Sequence, residues 1–316
     1  MSPTMDDDGT RRPEPAPYPG AVEPAREYDI DASGVRIAVH EWGSATDPPM
    51  LLVHGGFDFA RTFDAFAPRL ASAGWRVVAW DHRGHGDSQH AHLYSWDADL
   101  RDATAVFDHV SGGRPVPVVA HSKGGAMMIQ LADAQPHRIA ALANIDGMPY
   151  RGRIPDVAEH ERTKMMAGEV AGWLDHRRST AGASRRPGTV DELAHRRGRM
   201  NPRLPLEWLR RLVTVGGFES DDGWRWKIDA SMRFGGFGPW RPEWAMMRLP
   251  GMSMPFLGLL VSEIEEMGWG TMPEHVRPYL PPAGRCELLD GVGHFPHVED
   301  PDRIAAIVLD FVGAPA

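Results

Sequence analysis

A serine hydroxyl becomes a nucleophile when the backbone holds it clear of its neighbours and a base lies close enough to take its proton. Residues 116–130 read Val-Pro-Val-Val-Ala-His-Ser-Lys-Gly-Gly-Ala-Met-Met-Ile-Gln and bear on the first condition. Val116, Val118 and Val119 are β-branched and apolar, which predicts a strand buried on both faces. From Gly124 onward, Ala126, Met127, Met128, Ile129, Leu131 and Ala132 predict a helix packed into a core. Only residues 120–124 are left to make the turn. The small Ala120 and Gly124 on either side let strand and helix approach closely. Ser122 is then pushed out near the N-terminus of the helix, where unpaired N–H groups and the dipole favour a developing oxyanion. The chemistry expected is acyl transfer. A capping serine in an ordinary loop would share the same five residues, so the remaining elements must supply the partners.

Residues 1–26 are acidic and Pro-rich, as in a disordered tail or an early strap. Residues 27–33 and 35–42 alternate polar and apolar about Gly34, which predicts an antiparallel hairpin at a sheet edge. Met50 to Val53 is a short buried strand that ends in His54-Gly55-Gly56-Phe57, glycines whose N–H groups are free to point at a ligand. A helix is expected over 61–73 and a strand over 75–80. Then comes Asp81-His82-Arg83-Gly84-His85-Gly86-Asp87-Ser88, a second helix over 97–110, and the serine turn. Another buried strand, 139–145, ends in Asp146. Strand and helix alternate throughout, which implies parallel pairing and right-handed crossovers.

The alternation breaks at Met148. From there to about residue 250 helices are expected over 156–178, 190–199 and 206–215, with no strands between them. Gly235-Gly236-Phe237-Gly238 would form a flexible segment where a lid meets a core. A strand resumes over 256–261, followed by Ser-Glu-Ile-Glu-Glu (262–266). A last strand, 285–290, leads into Gly291-Val292-Gly293-His294-Phe295-Pro296 and a terminal helix ending at Val312.

Four of these stretches, in this order, resemble motifs of the α/β-hydrolase superfamily. Ala-His-Ser-Lys-Gly resembles its G-x-S-x-G nucleophile elbow with Ala120 in the first place. His54-Gly55-Gly56, the loop 81–88 and Gly291–Pro296 resemble its oxyanion, D-x-R-G-x-G-x-S and G-x-G-H-x-P loops. The resemblance implies a mostly parallel sheet of about eight strands with helices on both faces and an inserted helical cap. Residues 27–147 and 250–316 would form the core and 148–249 the cap. It also implies Ser122 as nucleophile, His294 as base (His297 being the nearest rival) and an oxyanion hole made by the N–H groups of Gly56 and Lys123, with Phe57 as the alternative to Gly56. For the acid, the family's loop after the penultimate strand points to Glu265, with Glu263 or Glu266 if the register slips. Members that take the acid from the sixth strand point to Asp146. The substrate is expected to meet Phe57, His121, Lys123, Trp240 and Trp244, with the Lys123 side chain facing its floor or pairing with Asp146. A serine nucleophile disfavours epoxide hydrolase and dehalogenase chemistry. The leading expectation is hydrolysis of a carboxylic ester or lactone of a small to medium apolar substrate. C–C bond hydrolysis of β-diketone-type substrates and a non-catalytic ligand-binding role are the alternatives.

Composition limits the other classes. The chain has 316 residues, 42% hydrophobic and 24% charged, and carries a net charge of −9, which argues against nucleic acid as a partner. Its only cysteine is Cys286, so no internal disulfide forms, in keeping with a cytoplasmic location. No apolar run approaches the length of a membrane span, and the N-terminus lacks the basic-then-apolar pattern of a signal peptide. Residues 151–211 hold more basic than acidic side chains, read as a solvated helix face. The histidines between 82 and 92 have no third ligand at a fixed spacing, so neither a metal nor another cofactor is expected. Oligomeric state is open.

Overall fold

The computed structural model describes residues 14–150, 158–233 and 241–315. Strands β1 (Arg26–Asp31) and β2 (Arg36–Trp42) form the expected antiparallel hairpin, where Gly34 takes φ +85° and its N–H donates to Asp31. β3 (Pro49–Val53) is followed by a 3-10 turn over Ala60–Phe63 and the short helix α1 (Ala67–Ser72). The continuous helix expected over 61–73 is therefore broken. Pro68, the second residue of α1, lacks the N–H that would join it to the preceding turn. β4 (Arg76–Trp80), α2 (Trp96–Ser111), β5 (Val116–His121), α3 (Lys123–Ala134) and β6 (Ile139–Ile145) complete the first half.

The insert holds α4 (Glu159–Ser179), α5 (Val190–Gly198), α6 (Leu206–Gly216), β7 (Gly217–Ser220), β8 (Gly223–Trp226) and α7 (Trp244–Arg248). β7 and β8 pair into a small antiparallel hairpin, which corrects the expectation of helices alone. Asp222-Gly223 at its turn, with Gly223 at φ +119°, is a hairpin signal that the sequence carried. The segment 235–238 and Trp240 lie outside the described residues. β9 (Phe256–Val261), α8 (Pro273–Val276), β10 (Gly284–Leu289), α9 (Pro296–Glu299) and α10 (Pro301–Val312) close the chain.

The main sheet has eight strands in the order β1-β2-β4-β3-β5-β6-β9-β10, parallel from β4 to β10. Both faces are covered, so both side-chain sets of each inner strand are apolar. In β3, Leu51 and Val53 pack with Val106, Phe107 and Met127 on one face, while Met50 and Leu52 pack with Phe63, Leu70 and Ile304 on the other. A third cluster joins the insert to the core: Leu193, Trp208, Leu212 and Val213 pack on Phe59 and Phe295. The segment from residue 14 lies across α6, where the Ala16 N–H donates to Thr214 Oγ1 and Tyr18 meets the Trp208 ring edge-on at 4.8 Å. The carboxyl ends of β3, β5, β6, β9 and β10 all open on one rim, where ligands bind in open parallel sheets.

Candidate active site

Ser122 stands between β5 and α3 at φ +52°, ψ −121°, a conformation that side chains with a Cβ rarely adopt. Its N–H donates to Ile145 O at 3.0 Å, tying the turn to the adjacent strand. The close approach predicted for Gly124 is observed: a Cβ there would lie 2.6 Å from the His54 carbonyl oxygen. Among the described residues four non-glycine positions take positive φ, and three of them (Phe57, Ser122 and Asp146) stand at this rim. Strain of this kind persists only where the surroundings over-determine it.

The Ser122 hydroxyl lies 3.0 Å from His294 Nε2, and His294 Nδ1 lies 2.6 Å from Asp146 Oδ2. Ser122, His294 and Asp146 are all buried. Burial, reinforced by the Arg197 guanidinium, lowers the His294 imidazole to about 3, so it is neutral and able to accept a proton at neutral pH. Burial also raises the Asp146 carboxyl above its ordinary range.

Glu265, the acid given first place from the sequence, does not reach the imidazole. Its Oε2 accepts the backbone N–H of His294 at 2.7 Å instead. The strand order explains the exchange. β6 lies between β5 and β9, so Asp146, at φ +43° directly after β6, turns its carboxylate into the gap beside Ser122. Glu265, four residues beyond the end of β9, meets the loop of His294 from behind. Glu263 and Glu266 are exposed, and Glu263 lies against Ser262 and Arg203. His297 is wholly buried beside Phe63 and His121, away from the serine hydroxyl.

The loop His54–Phe57 runs beside Ser122, since a Cβ on Gly55 would lie 3.1 Å from Ser122 Cβ. His54 fixes it: Nδ1 donates to Gly55 O at 2.7 Å and Nε2 accepts from the His82 N–H at 3.0 Å. The loop 81–88 braces both. Asp81 accepts from the N–H groups of Ala60 and Asp87, each at 2.7 Å, and Arg83 grips Asp102 through two bonds of 2.6 and 2.7 Å. His40, Asp81 and Asp87 come close enough together to share an ion. These donors are already committed, however: His40 to Asp81 and Glu27, and Asp87 to Lys227.

Lys123 Nζ donates to Asp99 Oδ2 at 2.6 Å and stands 5.7 Å from the Trp96 ring centroid, so its partner is not Asp146 as the sequence allowed. A small, partly open cavity beside Ser122 opens on Gly56, Phe57 and Lys123, with Trp96, Trp269 and Met232 among its other walls; Ser122 and His294 themselves are not in its lining. Phe57 and Lys123, expected at the substrate, both line this cavity. His121 does not: it is buried, and its Nε2–H donates to His294 O at 2.7 Å, so it holds the histidine loop from below. Trp244 opens α7, half-buried, outside those walls. Asp99, Trp96 and Trp269 were not singled out from the sequence. The first two sit in the opening turn of α2, which packs beside α3, the helix after Ser122.

Residues 45–222, more than half of the chain, match the family described as serine aminopeptidase, S33. This chain is an α/β-hydrolase of that family. The hydrolase is 25% identical over 274 residues to the mouse sn-1-specific diacylglycerol lipase ABHD11, covering 85% of this chain and 82% of that one. It is 39% identical over 106 residues to a probable protein phosphatase methylesterase 1 of Caenorhabditis elegans, where the match spans only 31% of this chain and 29% of the relative. Several of the curated relatives it matches are likewise spanned over less than half their length. Among solved structures, the thioesterase domain from the curacin biosynthetic pathway superposes with a TM-score of 0.76 at 23% identity, over 90% of this chain and 99% of that one, a likeness of fold. None of the described helices is long and apolar enough to cross a membrane.

Proposed function

We propose that this α/β-hydrolase is a serine esterase that cleaves a carboxylic ester or lactone of a small to medium apolar substrate through an acyl-enzyme on Ser122. The observation that carries the reading is the chain of contacts from the Ser122 hydroxyl to His294 Nε2 at 3.0 Å and from His294 Nδ1 to Asp146 at 2.6 Å. Neutral His294 takes the hydroxyl proton as Ser122 attacks the acyl carbon. Asp146 keeps the imidazole oriented and stabilises its charged form. The N–H groups of Gly56 and Lys123 flank the place where the oxyanion develops. His294 then protonates the leaving alcohol, and water repeats the sequence on the acyl-enzyme. The aromatic walls of Phe57, Trp96 and Trp269 suit an apolar acyl or alcohol group. The names of the relatives, a lipase and a methylesterase, support ester chemistry.

On this reading residues 148–249 act as a cap over a core made of 27–147 and 250–316, and the tail from residue 14 straps the cap helix α6. The test is a panel of p-nitrophenyl esters of rising chain length. Turnover by the wild type, lost in Ser122→Ala, supports the proposal. No turnover of any member, or turnover that Ser122→Ala leaves intact, rejects it.

A further inference from the structure

The insert reaches the rim of the sheet through an arginine. Arg197, near the end of α5, donates from Nη1 to the carbonyl oxygen of Phe57 at 3.0 Å, and its guanidinium stands 6.0 Å from the ring of Phe295, the residue after His294. Its Nε is buried without a partner, and no carboxylate among the described residues lies within ion-pair distance of it. Three arginines that brace the fold are paired with carboxylates, Arg61 and Arg211 with Asp64 and Arg83 with Asp102, whereas Arg185 and Arg196 are held, like Arg197, through carbonyl oxygens. Arg197 is half-buried, and partial withdrawal of a guanidinium from water without a carboxylate lowers its pKa.

What Arg197 does hold is informative. Phe57 is at φ +56° and carries a Cβ, so its turn needs fixing from both sides. On its N-terminal side the His54–His82 contact fixes it. On its C-terminal side the Arg197 bond does so, together with the Ala60 N–H held by Asp81. We propose that Arg197 is a positioning residue: it locks the Phe57 peptide, and so the Gly56 N–H, to the insert, and it places a fixed positive charge beside His294. The position of α5 and the geometry of the oxyanion donors are then one variable. An insert that lifts away takes the guanidinium with it and lets the loop relax.

The groups that face His294 are Asp146 after β6, Ser122 and His121 at the end of β5, Glu265 after β9, His297 in α9 and Arg197 from α5. Of these, Arg197 alone carries a permanent positive charge. Asp58, buried next to Phe57, is the carboxylate that most moderates it; burial raises Asp58 to about 6, against the pull of Arg197. The inference rests on the esterase reading for its kinetic readout but not for its titration.

The test compares Arg197→Gln and Arg197→Lys with wild type in kcat, KM and the pH dependence of kcat/KM on one p-nitrophenyl ester, with circular dichroism at each pH. His294 imidazole titration by NMR is followed in parallel without substrate. Arg197→Gln is expected to lower kcat roughly tenfold with KM little changed, the size of one lost charge-assisted hydrogen bond. The acid limb and the imidazole titration both move to higher pH in this variant. Arg197→Lys keeps the charge but not the geometry, so its kcat falls while its acid limb stays. A folded Arg197→Gln with an unmoved limb overturns the proposal, whatever its kcat. Should Arg197→Gln fail to fold, Arg197→Lys decides: wild-type kcat overturns the proposal, and a reduced kcat with an unmoved limb supports it. If the wild type turns over no ester, the esterase reading fails alone and the imidazole titration still judges Arg197.

Discussion

Two loops bring a carboxylate to the same histidine and use it differently. After β6, Asp146 follows the strand at once and meets the His294 side chain; after β9, Glu265 comes four residues later and meets its backbone. The two bonds differ by only 0.1 Å in length, 2.6 against 2.7 Å, so length does not separate their roles. The atom bonded does. A carboxylate on Nδ1 sets the imidazole's tautomer and stabilises its charge, whereas one on the backbone N–H sets only the path of the loop. The lesson is that which carboxylate can serve the histidine depends on the order of strands in the sheet more than on which loop is richer in acids.

Asp146→Asn is therefore expected to have the largest effect, a fall of about 10⁴ in kcat from the wrong tautomer, with the fold retained. Steady-state rates with circular dichroism check it. Lys123→Met leaves Asp99 buried without its cation and is expected to cost about 2 kcal/mol of stability, read as a lowered denaturant midpoint. If Lys123 also binds a substrate carboxylate, this variant loses turnover of acidic esters far more than of neutral ones. Equal loss on both rejects that role. Glu265→Gln keeps an acceptor for the His294 N–H and is expected to cost at most about tenfold in kcat. A loss as large as that of Asp146→Asn would erase the distinction between the two loops.

Both loops stand on a floor of buried histidines, which gives a pH signature. His54, His82, His85, His121, His294 and His297 are all lowered, burial being the main cause. Their folded values lie below the unfolded one, so the unfolded chain binds more protons and stability falls as pH drops below about 6.5, by about 1.4 kcal/mol per pH unit for each proton taken up. His40 works in the other direction. Burial opposes its charge, but Asp81 and Glu27 outweigh that and raise it to about 9. Its contribution is full below about 6.5 and is lost as pH rises through 9. Urea unfolding from pH 5 to 10 is expected to show a steep acid flank and a shallower alkaline one. A flat profile below pH 6.5 would contradict the buried neutral histidines.

Much of this site was legible in the sequence because it depends on short, local physics. The turn at Ser122 needs small residues within two positions, and the loops at His54 and His294 announce themselves by glycines beside a strand end. The inner strands were legible because they are apolar on both faces. The contacts that were missed join residues far apart. Asp99 finds Lys123 only once α2 lies beside α3, and Trp269 reaches the cavity only through the loop after β9. The carboxylate that meets His294 Nδ1 was misplaced for the same reason: three glutamates within four residues favoured one loop, while the strand order, invisible to local pattern, favoured the other. The β7–β8 hairpin was a different kind of miss, since Asp222-Gly223 marked it within four-residue strands.

The most direct test of the central claim is mass mapping of a fluorophosphonate adduct on the wild type, Asp146→Asn and Glu265→Gln. The contacts around Ser122 predict a single adduct on Ser122, formed far more slowly in Asp146→Asn and at nearly the wild-type rate in Glu265→Gln. An unlabelled Ser122 in the folded wild type, or a Glu265→Gln as inert as Asp146→Asn, would contradict it.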